Sequence, residues 1–454
     1  MIALPLAQAA RVLDAPLRGA DARFAGVSTD TRSLRAGELF FALSGPRFDA
    51  HDMLGAAAAA GAAGAVVRMP REVDLPQIVV ADPRAALGVL ARDWRMRFAI
   101  PVLGVTGSAG KTTVKEMLGA ILGMERHTLV TRGNLNNDIG VPLTLFTLAP
   151  EHEAAVIEMG ANRAGDIALL ADIARPTVGV VTLCAPAHLE GFGDVDTVAR
   201  TKGEIYSGLA ADGTAVINAQ DTYRQLWHEM AAPRRVITFG EGGDVRAADI
   251  ALGAGSTRFR LCTPLGERAA TIMHRGRHNV DNALAAAAAA LAAGIKLDTI
   301  VAGLAAAAPV AGRLVTREVS ATLTVIDDTY NANPAALRAA IAVLAASPGE
   351  TWLVLGDMGE LGADAERYHA EAGAEARAAG IDRLYTLGPL SAHAAGRFGA
   401  AACAYETDVT ALTAVLEADL AASSGHVTVL VKGSRMMALE RVAAALCAAE
   451  GGTC

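Results

Sequence analysis

Gly104-Val105-Thr106-Gly107-Ser108-Ala109-Gly110-Lys111-Thr112-Thr113 decides the reading of this chain. An apolar, β-branched run over residues 100–105 leads into it, and a helix-forming segment over 114–122 follows. In the order strand, glycine loop, helix, the loop turns backbone N–H groups toward a phosphate, and the helix N-terminus adds its positive end. Lys111 then reaches the β- and γ-phosphates, and the Thr112 hydroxyl meets Mg²⁺. The longer form of this loop carries glycine five residues before Gly110. Here that residue is Val105, with glycines at 104 and 107, so the loop is the short T-G-x-x-G-K-T form. Gly107, Ser108, Ala109, Gly110, Lys111, Thr112 and Thr113 are the expected phosphate-binding set.

Composition narrows the partners. A chain of 454 residues implies about three domains. With 52% hydrophobic residues it has ample material for several cores. The formal net charge is −8 and no basic block occurs, which argues against nucleic acid as a partner. Phosphates must therefore be held by local glycine loops and single cations. The five cysteines (Cys184, Cys262, Cys403, Cys447, Cys454) are scattered without a CxxC pair, so neither a disulfide framework nor a zinc site is expected. The opening residues lack a basic segment before their apolar run, so a signal peptide is not expected. The apolar run over 283–295 is too short to span a bilayer. The expectation is a cytoplasmic protein with no integral membrane association.

The pattern of strands and helices divides the chain into three α/β units, residues 1–97, 98–311 and 312–454. The first has strands expected at 38–43, 65–67 and 77–80, with helices over 53–63 and 84–97. In the second, strands at 102–105, 154–158, 178–183, 214–218 and 235–238 alternate with helices, which predicts a parallel, doubly wound sheet. Residues 246–272 alternate like antiparallel strands, and a helix near 281–293 closes the unit. The third has strands at 323–327, 351–355, 383–387 and 427–431, a Rossmann-like arrangement. Ligands of such sheets bind at the carboxyl ends of the strands, and the unusual residues of this chain cluster there.

Glu158 ends a strand near the phosphate loop, where a carboxylate can hold Mg²⁺ or order water. Alone, it reads equally well as a solvated strand-end acid. His188 follows another strand, and Lys202 lies in Arg200-Thr201-Lys202-Gly203-Glu204. Taken singly, both read more readily as surface residues than as ligands. Asp327-Asp328-Thr329-Tyr330-Asn331-Ala332-Asn333-Pro334 is different. An Asx turn before a helix accounts for Asn333-Pro334 but not for two carboxylates, a phenol and a second carboxamide beside it. Residues 355–362 and Val431-Lys432-Gly433-Ser434-Arg435 follow the next strands in similar style. His278, Asn279 and Asn282 sit just before the alanine-rich helix, and Arg313 lies at the expected hinge.

Together these motifs resemble the Mur ligases, the ATP-dependent amide-forming enzymes of cell-wall precursor synthesis. The short phosphate loop is that family's form, shared with folylpolyglutamate synthases. Within the family, the 327–334 stretch, Thr131-Arg132-Gly133-Asn134-Leu135-Asn136-Asn137-Asp138-Ile139-Gly140-Val141-Pro142 and the 356–362 stretch are similar to the branch that adds D-alanyl-D-alanine to UDP-N-acetylmuramoyl-tripeptide. Ser28-Thr29-Asp30-Thr31-Arg32 and the 37–45 stretch look like the uridine-nucleotide domain of this branch and of its diaminopimelate- or lysine-adding sister. That sister carries an Asp-Asn-Pro-Arg motif, absent here. Two departures stand out: Ala50 where the family has glycine, and Thr329 where serine is commoner.

The resemblance implies roles. Thr112 and Glu158 would bind one Mg²⁺, and His188 would help hold a second. Lys202 matches the lysine that the family carries as a carbamate, an anionic metal ligand. Asn282, Arg313 and Asp328 would contact ATP. Ser28, Asp30, Thr31, Arg32, Asn134, Asn137, Tyr330, Asn331 and Asn333 would contact the UDP-muramoyl-tripeptide or the dipeptide. The implied reaction is formation of the pentapeptide precursor through an acyl phosphate by a cytoplasmic monomer. Its rivals are another amide ligase of the superfamily, such as the diaminopimelate-adding enzyme or a folylpolyglutamate synthase, and a nucleotide-dependent switch or scaffold.

Overall fold

The computed structural model describes residues 1–46, 48–253 and 255–448. Its first unit is a five-stranded sheet in the order Leu17–Arg18, Gln77–Val79, Gly64–Val67, Leu39–Phe41, Val27–Ser28. The helix expected over 53–63 is shorter, a 3₁₀ turn Ala50–Met53 followed by Leu54–Ala59. Gly61 at φ +82° ends it. Ala50 is buried, and its φ is not positive, so this position does not require the family's glycine. The second helix, Pro83–Arg95, starts on Asp82, whose carboxylate accepts from Arg84 N, with proline in the first turn. The opening strand Ala3–Pro5 and helix Leu6–Val12 lay beyond the sequence reading, because three residues of strand carry no readable alternation.

The central sheet is six-stranded and wholly parallel, in the order Thr128–Val130, Ala154–Glu158, Val102–Thr106, Val178–Val181, Thr214–Asn218, Arg235–Phe239. Val102–Thr106, earliest in the chain, lies inside. Later strands add on both sides of it, which opens a crevice at its carboxyl end. The phosphate loop leaves from that end, Glu158 ends one neighbouring strand, and the segment to His188 leaves the other. Residues 246–272 form the expected antiparallel three-stranded sheet.

The alanine-rich helix runs Arg277–Ala292, so His278, Asn279 and Asn282 lie in its first turns rather than before it. Its alanines from Ala285 to Ala290 are all buried, small enough to let the helix pack closely on the sheet and on Lys111–Gly123. A further helix, Leu297–Ala306, packs against Lys111–Gly123, so the alanine helix does not close the unit.

The third sheet is also six-stranded: Val315–Glu318, Leu323–Asp328, Val427–Lys432, Glu350–Gly356, Arg383–Leu387, Ala402–Tyr405. Only the first is antiparallel to its neighbour. The two outer strands were not expected from sequence. As half-exposed edges they lack the continuous apolar run of the inner four.

Cys184, Cys262 and Cys403 are free. Cys454 lies outside the described residues. Among the described residues no helix is long and apolar enough to cross a membrane.

Two inner strands of the third sheet are joined at their carboxyl ends by a buried ion pair. Lys432 Nζ donates to Asp328 Oδ2 at 2.6 Å and to the Asn331 carbonyl at 2.9 Å. Asp328 Oδ1 accepts from Leu314 N at 3.2 Å, which ties down the residue after Arg313. Lys432→Met removes one partner and leaves a buried carboxylate uncompensated. It should cost about 3–5 kcal/mol in denaturant unfolding. Adding Asp328→Asn should recover much of that loss. Unchanged stability of the single variant would contradict this assignment.

Candidate active site between the central and C-terminal units

The phosphate loop is shaped by two glycines that nothing larger can replace. Gly107 sits at φ +145°, and a Cβ there would lie 1.9 Å from Thr182 Oγ1. Gly110 starts the helix Lys111–Gly123 at φ +79°, with Asn282 Oδ1 2.3 Å from where a Cβ would stand. Thr182, which no sequence signal marked, donates to the Ala109 carbonyl at 2.5 Å. Ser108 Oγ donates to the Ala185 carbonyl at 2.9 Å and accepts from Ala185 N at 3.0 Å. Its hydroxyl therefore fastens the loop to the next strand's exit. Lys111 Nζ turns back onto the Gly107 carbonyl at 2.7 Å, and burial lowers its pKa. Thr112 and Thr113 follow in the first turn.

Glu158 lies beside this loop, buried. Its N–H donates to Thr131 Oγ1 at 3.0 Å, and its Oε1 accepts from Asn136 Nδ2 at 2.8 Å. Oε2 is buried without a partner. Asn136, inside the 131–142 motif but not singled out from sequence, thus orients the carboxylate. Asn134 stands exposed on the same turn. Asn137 Oδ1 accepts from Gly140 N at 2.8 Å, so that oxygen is committed to the start of helix Gly140–Leu145.

His188 faces Glu360 of the third unit, with Nδ1 2.5 Å from Glu360 Oε2. Both residues are left-handed, at φ +53° and +61°. Such a conformation costs about 1–3 kcal/mol per residue, and here both strained residues meet across one interface. Glu190 N donates to the Glu360 carbonyl at 3.3 Å beside them. Burial lowers the His188 pKa against the pull of Glu360.

Lys202, on helix Val195–Ser207, is buried with its ammonium 5.6 Å from the Phe192 ring centroid. It makes no ion pair among the described residues. Burial, with the charge of Lys111 adding to it, pushes its pKa down to about 7. No cluster of three or more His, Cys, Asp or Glu able to hold a metal stands among the described residues.

Two cavities meet at the phosphate loop. The first, about 290 Å³, runs from Ser108–Thr112 and His188 to Asn331, Asn333, Glu360 and Arg435. The second, about 170 Å³, is bounded by Gly110, Thr113, Asn282 and Phe239 on one side and by Asp328 and Lys432 on the other. Arg313 lines both, its guanidinium 4.2 Å from the Tyr330 ring centroid and its Nε buried without a partner. Asn282 Nδ2 donates to Asn279 Oδ1 at 2.9 Å. Thr329 keeps the family's hydroxyl, which donates to Asp327 Oδ1 at 2.6 Å.

The uridine-type motif is brought only partly together. Ser28 and Asp30 line a surface pocket with Arg35 and Arg132. Thr31 and Arg32 stand outside it, and the Arg32 guanidinium turns back to Asp30 at 2.6 Å. Arg132 belongs to the segment that also carries Thr131 and Asn136. One stretch of chain therefore connects this pocket with Glu158.

A glycine loop at a sheet switch point, an unpartnered carboxylate oxygen beside it and a second α/β unit across the cavity define a phosphate-loop nucleotide enzyme with its site between two domains. The comparisons narrow that class. Residues 105–290 match the Mur ligase middle domain, and residues 312–435 the Mur ligase glutamate ligase domain. The chain is 45% identical over 457 residues, covering 100% of both chains, to UDP-N-acetylmuramoyl-tripeptide–D-alanyl-D-alanine ligase of Escherichia coli. A crystal structure of MurF from Acinetobacter baumannii superposes with TM-score 0.94 at 38% identity, covering 98% of this chain and 99% of that one. The MurF ligase of Thermotoga maritima in complex with ADP gives 0.83 at 30% identity, over 93% and 97%. The chain belongs to the Mur ligase family.

Asn333 joins the two units directly. Its Oδ1 caps helix Pro334–Ala345 by accepting from Ala336 N at 2.8 Å, while Nδ2 donates to the Ser108 carbonyl at 3.2 Å. Asn333→Asp keeps the cap and loses the bridge. Thermal stability should stay near wild type while kcat falls about tenfold, the cost of one hydrogen bond. An unchanged kcat would show that the bridge has no part in turnover.

Proposed function

We propose that this chain is an ATP-dependent ligase that joins D-alanyl-D-alanine to UDP-N-acetylmuramoyl-tripeptide. The observation that carries the reading is the first cavity, in which the phosphate loop of one unit faces Asn331, Asn333 and Arg435 of the other. A nucleotide in the second cavity would point its γ-phosphate into the first. In this reading residues 1–97 hold the uridine nucleotide, with Ser28 and Asp30 in its pocket. Residues 98–311 hold ATP, and 312–454 bring the acceptor. The enzyme acts as a monomer in the cytoplasm.

A carboxylate is a poor electrophile, so the terminal carboxylate of the tripeptide attacks the γ-phosphorus, and ADP leaves. The dipeptide amine then attacks the carbonyl carbon of the acyl phosphate and loses a proton, and phosphate departs. Lys111 and the loop N–H groups offset the repulsion between nucleotide and carboxylate. Arg313, stacked on Tyr330, and Asn282 border the nucleotide, with Asp328 held by Lys432 behind them. Asn331 and Asn333 face the acceptor. Contact between the two units excludes water that would hydrolyse the acyl phosphate.

The residues present fit Mg²⁺. Glu158 Oε2 is a buried, unpartnered oxygen, and the Thr112 hydroxyl lies beside the phosphate loop. Thr112 and Glu158 would hold one ion, and His188 and carbamylated Lys202 a second. When bound, the ions supply positive charge to the transferring phosphoryl group.

The direct test is phosphate release with ATP, Mg²⁺ and the tripeptide, supplying D-alanyl-D-alanine, diaminopimelate, lysine or glutamate. Only the dipeptide should give rapid release and a pentapeptide product. Preference for a single amino acid would reassign the acceptor.

Lys202 gives a pH signature. With its pKa lowered to about 7, the neutral amine predominates above that pH and the ammonium below. Only the neutral amine adds CO₂, and it releases a proton in doing so. Activity in bicarbonate-depleted buffer should therefore fall as pH drops through about 7 and recover with added bicarbonate. Carbon-13 bicarbonate should give a carbamate resonance that Lys202→Ala lacks. A wild-type spectrum without that resonance would contradict the carbamate.

A further inference from the structure

We propose that Arg435 receives the carboxylate of the acceptor and thereby selects a dipeptide over a single amino acid. The inference rests on the ligase reading above. Four cationic or imidazole side chains line the first cavity: Lys111, His188, Arg313 and Arg435. Three have other engagements. Lys111 turns onto the Gly107 carbonyl among the phosphate-binding N–H groups. His188 faces Glu360. Arg313 stacks on Tyr330 and also lines the nucleotide cavity. Arg435 lines the first cavity alone of the two and is exposed, with Nη2 3.0 Å from Glu440 Oε1.

That ion pair leaves Arg435 with N–H donors to spare, because a guanidinium carries five in a planar fork suited to a carboxylate. The residue is also well seated. It opens the 3₁₀ turn Arg435–Met437, directly after Ser434, which is buried. Ser434 Oγ donates to the Asp357 carbonyl at 2.6 Å, and Ser434 N to the same carbonyl at 3.0 Å. The Asp357 carboxylate in turn accepts from Ser391 N at 2.7 Å. Arg435 is thus fixed to the sheet of the third unit, across the cavity from the phosphate loop.

Distance then becomes specificity. Two extended residues span about 7 Å from amine to carboxylate, and one residue about half that. With its amine at the acyl phosphate and its carboxylate at Arg435, a dipeptide spans about twice what a single amino acid can.

The test compares D-alanyl-D-alanine with its C-terminal amide, which keeps the shape and loses the charge. Wild type should turn over the amide with kcat/KM about 10- to 100-fold lower, the worth of a hydrogen bond to a charged group. Arg435→Ala should raise KM for the dipeptide by a similar factor. It should leave kcat/KM for the amide, KM for ATP and ADP affinity near wild type. Arg435→Lys should fall between, because an ammonium lacks the fork. If Arg435→Ala lost ADP binding, the lysine variant would decide by the same comparison. Equal loss on dipeptide and amide, or a wild type indifferent to the amide, would overturn the assignment of Arg435. Failure of wild type to use the dipeptide at all would overturn the ligase reading beneath it.

Discussion

A glycine loop shaped at the end of one buried strand is the constraint from which the rest of the molecule follows. Backbone can approach a phosphate only where no side chain intervenes. Gly107 and Gly110 adopt conformations that exclude a Cβ, and their neighbours Thr182 and Asn282 fill the space it would take. Thr182 and Ser108 then pin the loop to the adjoining strand exit. The parallel sheet supplies the rigid base, and its switch point sets Glu158 and His188 on either side.

The second constraint is electrostatic. A site that joins a nucleotide to a carboxylate must gather cations in a protein of net charge −8. It does so by burial rather than by overall field. Lys111 and Lys202 are held below the ordinary lysine range, each feeling the loss of water first. Lys432 is matched to Asp328, whose second oxygen ties down the residue after Arg313. The two units then meet through Asn333 and Ser108 and through His188 and Glu360.

Much of this was legible in the sequence, for definite reasons. Val102–Thr106, Ala154–Glu158 and Val427–Lys432 are buried on both faces, so they read as continuous apolar runs. The phosphate loop is local in sequence, as its chemistry requires. The edge strands Thr128–Val130, Val315–Glu318 and Ala402–Tyr405 were hidden because edges are short and half-solvated. Thr182, Asn136 and Glu360 gain their places from contacts across 73, 22 and 172 residues, which no local pattern carries. Asn333 was legible only in part. As a cap it follows from Asn-Pro, and as a bridge it follows only from the meeting of two units.

At the centre of the proposed function is the passage of the γ-phosphoryl group to the substrate carboxylate in the cavity between these units. It can be followed by one label. Tripeptide carrying oxygen-18 in its terminal carboxylate, turned over with ATP and D-alanyl-D-alanine, should hand one labelled oxygen to each phosphate released, seen by mass or phosphorus-31 shift. Unlabelled phosphate, or label appearing in AMP, would contradict the account.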